Sequence, residues 1–368
     1  MKSSGLYIHI PFCVRKCLYC DFPSYAGCDF YFEAYIDALL KEGDKYRGER
    51  VDTVFIGGGT PTVLSPRLIQ KLLSGINNCF SVSDDAEFSV EANPGTVTAE
   101  KLEALQAGGV NRISVGVQSV CDRELQALGR IHSGKTALET LELVKKYFDN
   151  VNADIMMSIP YQTRESLAKT LEAVSETGVT HMSCYSLIIE EGTPFYKMYE
   201  KGELSLPSED EDREMFSEIC GFLKEKGFER YEISNFAKVG KESRHNLKYW
   251  NTEDYIGIGA GAHSCMNGKR FYNTSDLEQY ISAPGEPEEV TELTLSERMA
   301  EYVMMALRTT QGVSFTEFKN RFKIDFKEVY FHQLEKFKQT DFVKMKEHGF
   351  VLTEKGFDVS NAIMCEFV

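Results

Sequence analysis

Three cysteines, Cys13, Cys17 and Cys20, fall within eight residues of one another in the stretch HIPFCVRKCLYCDF. Two thiols make a redox pair and four close a zinc site, so three leave one coordination position open. An iron–sulfur cluster is a soft host for thiolates, and held by three of them it keeps one iron free for an outside ligand. Zinc would need a fourth ligand, for which His9 and Cys28 are the nearest candidates. Three further polar residues stand out in apolar runs: Glu91 in SVEANP, Gln118 in GVQS and Asp154 in NADIMM. A carboxylate there is costly unless it is paired or bound to a ligand, and both readings stay open. The stretch GGGTPT, residues 57–62, allows close approach of backbone N–H groups to a ligand. It also suits a plain strand-to-helix turn, and without a following Gly-Lys-Ser/Thr it is no Walker loop.

The elements that must position these residues alternate along the chain. Short apolar runs predict strands at residues 6–10, 51–58, 86–92, 112–118, 151–159 and 181–189. Amphipathic stretches such as 31–46 and 133–148 lie between them. Near-continuous apolar strands alternating with helices predict an α/β fold, a parallel sheet covered by helices. Six units in series point to a partial TIM-like (β/α)6 barrel, with a doubly wound sheet as the alternative. Glu91 and Gln118 then end the third and fourth strands, Asp154 lies within the fifth, and the glycines follow the second. Those are carboxyl ends, where parallel barrels gather their active sites.

Ser208 and the acids after it read as a capped helix start. The Pro-, Gly- and Glu-rich stretch 283–292 reads as a linker, dividing a core of residues 1–285 from a C-terminal domain of 286–368. In that domain an amphipathic helix over 295–310, two further helices and a small hairpin predict a winged-helix-like α+β unit. Its Lys and Arg outnumber acids between residues 319 and 346, which solvated helix faces explain better than nucleic-acid binding.

The net charge of −15 disfavours general binding to a phosphate backbone. No run of about 18 apolar residues occurs, so no integral membrane segment is expected. No secretory leader is evident, and ten cysteines then read as reduced, cytoplasmic thiols.

The spacing Cys-x3-Cys-x2-Cys resembles the radical S-adenosylmethionine (SAM) superfamily. YIHIPFC, FIGGGTPT, SVEANP, RISVGVQS, LGRIHS and EEGTPF resemble its branch of oxygen-independent coproporphyrinogen III oxidase and related heme chaperones. The similarity runs from about residue 5 to the tail LTEKGFDVSN. It implies a [4Fe–4S] cluster on Cys13, Cys17 and Cys20, with SAM on the open iron as source of a deoxyadenosyl radical. It implies cluster-bound SAM near Tyr7, Gly58 and Glu91, and a second SAM near Tyr19, Gly59, Thr60, Gln118, Arg130 and Asp154. Tyr161 replaces a usual glycine in SIPYQT and is expected to narrow that second pocket.

The oxidase carries a fourth cysteine where this chain has Phe22, whereas HNLKYW (245–250) matches the chaperone group. The resemblance therefore favours a heme chaperone, with heme, a heme-acceptor protein and an electron donor as partners, over propionate decarboxylation. A zinc-stabilised interaction protein is the remaining alternative. His245 is the expected axial ligand, with Arg244 and Lys248 meeting propionates and Tyr249 and Trp250 stacking on the macrocycle. His263 and Cys265 are its rivals. No catalytic residue is assigned.

Overall fold

The computed structural model describes residues 3–368. Six parallel strands form the middle of its main sheet: β1 (Ser4–Ile10), β2 (Arg50–Gly58), β3 (Ser81–Ala92), β4 (Arg112–Gln118), β5 (Asn150–Met157) and β6 (His181–Ser186). They lie side by side in chain order. A doubly wound sheet reverses strand order at its centre, so that alternative is excluded. The helices α1 (Phe32–Gly43), α2 (Pro66–Cys79), α3 (Ala99–Ala107), α4 (Asp122–Ala127), α5 (Gly134–Lys145) and α6 (Arg164–Glu176) fill the crossovers.

The two-residue period of a strand sorts these residues onto two faces. In β4, Ile113, Val115 and Val117 join the apolar core, while Arg112, Ser114 and Gln118 occupy the other face. Register continues that polar face across the sheet, through Glu91 beside Ser114 and Asp154 beside Gly116 and Ser183. All seven residues of β4 are nonetheless buried. The sixth strand is shorter than expected. Met157, the last residue of β5, pairs with Ser186, and the ladder ends with the Leu187 N–H donating to the Met157 carbonyl (2.9 Å).

Helices α7 (Pro194–Glu200) and α8 (Glu209–Glu225) follow. Ser208 caps α8 as expected, its hydroxyl accepting from the Glu211 N–H while Glu211 accepts from the Ser208 N–H. The strands β7 (Glu229–Arg230) and β8 (Asn235–Ala237) extend the sheet antiparallel beyond β6. After α9 (Arg244–Trp250), β9 (Tyr255–Ile258) pairs parallel to β1. Antiparallel β10 (His263–Met266), β11 (Lys269–Asn273) and, after α10 (Leu277–Ser282), β12 (Pro287–Glu292) complete that flank.

The expected linker thus contains a strand. Every residue of β12 is exposed, and an edge strand bonded on one side tolerates polar side chains and a leading proline. A second hydrophobic cluster gathers residues between Met299 and Phe367. It is built from α11 (Leu295–Leu307), β13 (Val313–Ser314), α12 (Phe315–Phe322), α13 (Phe326–Lys338), the hairpin β14 (Val343–Lys346) and β15 (Gly349–Leu352), and two short closing helices. Among the described residues, no helix is long and apolar enough to cross a membrane.

Candidate cluster and cofactor site

Cys13, Cys17 and Cys20 lie in the loop between β1 and α1, partly buried and without disulfides. Neighbouring elements pin the loop. Leu18 donates its N–H to the Leu128 carbonyl (3.1 Å) and accepts from the Phe195 N–H (3.0 Å), while the Cys20 N–H reaches the Cys17 carbonyl (3.3 Å). Phe195 and Leu128 are fully buried in an apolar cluster that Leu18 and Tyr19 pack against. The Thr60 hydroxyl donates to Cys13 Sγ (3.5 Å). Burial pushes the Cys13 and Cys20 thiols up, a penalty that coordination reverses, since a metal-bound thiol is deprotonated.

The three cysteines line a cavity of about 560 Å³ at the carboxyl ends of the parallel strands. Of the residues expected around SAM, Tyr19, Gly58, Gly59, Glu91, Gln118, Arg130 and Asp154 line the same cavity. Glu91 accepts the Gly58 N–H (3.0 Å), and burial, then the Asp154 carboxylate, push its carboxyl up to about 7. Asp154 accepts from Asn152 Nδ2 (2.7 Å) and Ser114 Oγ (3.3 Å), yet burial still raises it. Arg130 donates to Asn93 Oδ1 (2.6 Å) and the Gly116 carbonyl (3.3 Å). Its Nε is buried and has no partner among the described residues. Gln118 holds a left-handed φ of 66° and accepts from the Tyr185 hydroxyl (3.0 Å).

Two expected residues do not line this cavity, although Tyr7 stands near enough to Glu91 for that carboxylate to add to the effect of burial in raising the tyrosine's pKa. Thr60 is buried behind Cys13, where it also accepts from Asn93 Nδ2 (2.7 Å), so it supports the cluster loop. Tyr7 lines a second cavity and shares a hydrogen bond with His9 Nδ1 (2.9 Å). The glycine loop also departs from expectation, because its N–H groups are already used. Gly58 donates to Glu91, Gly59 to the Ile10 carbonyl (2.9 Å) and Thr60 to the Phe12 carbonyl (2.7 Å). Glycine is required there by close packing. Gly58 has φ +103°, and a Cβ on it would fall 2.2 Å from the His9 ring.

Tyr161 does not narrow the cavity, since it is exposed and stacks on the Arg123 guanidinium at 4.1 Å. The zinc expectation loses both of its fourth ligands. His9 engages both ring nitrogens, with the Tyr7 hydroxyl and the Pro23 carbonyl (2.8 Å), and the Cys28 thiol is turned to the Ala26 carbonyl (3.6 Å). Among the described residues, no three metal-binding side chains converge on one ion. A cubane needs no such convergence, because each thiolate takes a different iron. Three free thiols around a cavity lined by the Arg130 guanidinium and two carboxyls therefore fit a cluster with a zwitterionic, cationic ligand such as SAM.

His245 is a core histidine and has no nitrogen to offer iron. It is 1% exposed, bonded through Nδ1 to Thr53 Oγ1 (2.9 Å) and through Nε2 to the Tyr249 hydroxyl (2.8 Å). Burial, then Lys248 and Arg112, lower it to about 3. Lys248 is likewise committed, to Asp52 (2.9 Å) and Glu253 (3.0 Å), and Arg244 to Asp85. Tyr249, Trp250, His263 and Cys265 instead line the second cavity, of about 1160 Å³, between the β9–β11 flank and helices α11 and α12. Sequence reasoning missed Asn93, Ser114, Ser183 and Tyr185 in the cluster cavity. Their only signal is a polar side chain on the face of Glu91 and Asp154.

Residues 7–174 match the Radical SAM superfamily and residues 293–359 the HemN C-terminal domain. This sets the class as a parallel α/β core presenting three cysteines. The heme chaperone HemW of Lactococcus lactis subsp. lactis (strain IL1403) is 35% identical, covering 100% of this chain and 98% of that protein. HemW of Bacillus subtilis (strain 168) is 36% identical, covering 100% and 99%. The chain belongs to the heme chaperone HemW family of that superfamily. Its fold is that of coproporphyrinogen III oxidase (HemN) from Escherichia coli, a radical SAM enzyme, with a TM-score of 0.86 over 99% of this chain and 90% of that one, at 23% identity. Likeness at that identity speaks for the fold alone.

Proposed function

We propose that this chain is a cytoplasmic heme chaperone that carries a [4Fe–4S] cluster and SAM and hands heme to an acceptor protein. The observation that carries this reading is the meeting of Cys13, Cys17 and Cys20 with Glu91, Arg130 and Asp154 in one cavity, in a chain 35–36% identical to HemW over its whole length. When bound, the cluster supplies one-electron chemistry at its open iron. The chain's own residues bind and shield. Glu91 and Asp154 offer acceptors to ammonium and hydroxyl groups in a site where such bonds are strong. Arg130, held by Asn93 and the Gly116 carbonyl, brings its guanidinium charge to the same space. The buried packing of Leu18 against Leu128 and Phe195 fixes the cluster loop.

An electron donor and a heme-acceptor protein are the partners this reading requires. It is tested by anaerobic reconstitution, followed by hemin titration, transfer to an apo-heme protein, and incubation with coproporphyrinogen III. Hemin binding and transfer without decarboxylation are expected. Production of protoporphyrinogen would assign the chain to the oxidase activity instead.

A further inference from the structure

Resting on the heme-chaperone reading, we infer that the larger cavity is the heme seat and that His263 is the axial ligand of the iron. At about 1160 Å³ it has roughly twice the volume of the cluster cavity. It exceeds the ~300–1000 Å³ typical of small-molecule sites, which leaves room for a macrocycle. Strand register builds its floor. His263 pairs with Tyr272, and Cys265 with Arg270 on one side and Tyr255 on the other. Residues two apart on a strand share a face, so the imidazole and the thiol of β10 present to the same space. Trp250 and Tyr249 from α9 and Phe322 from α12 supply flat apolar walls.

His263 differs from every other histidine near the site. His9 and His245 each engage both ring nitrogens, whereas neither nitrogen of His263 is hydrogen-bonded among the described residues. Its ring is exposed to the cavity and oriented by stacking on Tyr272 (centroids 5.0 Å, interplanar 24°). Partial burial and the nearby Arg270 lower its pKa, which keeps the imidazole neutral and able to coordinate. Glu253, Asp254, Glu301 and Glu317 line this wall beside three guanidiniums, and Glu253 is held by Lys248. Arg270 is paired to Glu301 and Arg321 to Glu317, but Arg298, on the same wall, has no ion pair among the described residues. A guanidinium without a carboxylate is suited to a propionate, which it can hold bidentately. Trp250, also in this wall, has its Nε1 buried with no acceptor among the described residues.

The test is anaerobic hemin titration of the full chain, wild type against His263→Ala, His263→Gln and Arg298→Ala, with cluster content and circular dichroism as folding controls. Both His263 variants should shift the Soret band and weaken hemin at least tenfold, and added imidazole should restore the wild-type band in His263→Ala. Arg298→Ala should weaken hemin severalfold without moving the band. Wild-type affinity and an unmoved Soret band in both His263 variants would overturn this assignment and leave the chaperone reading standing. Failure of the wild type to bind hemin would overturn both.

Discussion

Glu91 shows how a single carboxyl reports on its site. Its pKa is raised from 4.5 to about 7, first by burial and then by Asp154. The contribution it makes to stability is therefore fully present below pH 4.5 and is lost as pH rises through about 7, a change of about 3 kcal/mol. A cationic ligand favours the ionised form, so SAM affinity should rise between pH 6 and 8 and then level off. Glu91→Gln should flatten both profiles and weaken SAM by about 1.5–3 kcal/mol. Equilibrium dialysis across that range checks the claim, and an unchanged pH profile in the variant would remove Glu91 from the site. His245 moves the other way. Lowered from 6.5 to about 3, it contributes stability that is present above pH 6.5 and lost as pH falls through 3. His245→Ala should cost about 2–3 kcal/mol in denaturant unfolding, because it strands the Thr53 and Tyr249 hydroxyls in the core.

The cluster loop depends on elements distant in sequence. Phe195, at the start of α7, packs fully buried beside Leu128 and bonds the loop at Leu18. Phe195→Ala should cost about 3–5 kcal/mol as a core truncation, and it should speed oxygen-driven loss of the cluster, read as bleaching of its visible absorbance. The six central strands were legible in the sequence because their apolar runs are long and bounded by helical periodicity. Glu91, Gln118 and Asp154 were legible because a polar residue late in an apolar strand is conspicuous. Ser183 and Tyr185 were not, because their strand breaks off after Ser186 and its alternation reads as noise. The motif HNLKYW pointed correctly to the heme chaperones, but its histidine is unavailable to iron for a reason visible in the motif's own spacing. Residues 245 and 249 are four apart, so a helix turns both to one side, and in α9 that side meets Thr53, Phe55 and Tyr255. Only Tyr249 and Trp250 of that motif reach the larger cavity.

At the scale of the whole molecule, two cavities share a wall, with Phe22 lining both. One belongs to the parallel core. The other needs the C-terminal unit, which is tied to the core by Arg321 donating to Thr252 Oγ1 (2.8 Å) and the Asn251 carbonyl, and by Thr310 N–H to the Tyr231 carbonyl (3.0 Å). No local pattern announces such a cavity, because its walls come from segments between residues 249 and 322 that meet only in the fold, apart from Tyr7, His9, Phe22 and Pro23. Hemin should therefore slow amide exchange in α11 and α12, while SAM should slow it at the ends of β3 to β5. Protection of the same segments by both ligands would contradict two separate sites. Whether the three cysteines hold an iron–sulfur cluster is read from iron and sulfide analysis after anaerobic reconstitution of the wild type and of Cys13→Ser, Cys17→Ser and Cys20→Ser. About four irons and four sulfides per chain are predicted for the wild type, and loss of both in each variant. Full iron and sulfide retained in all three variants would show that these thiols do not hold the cluster.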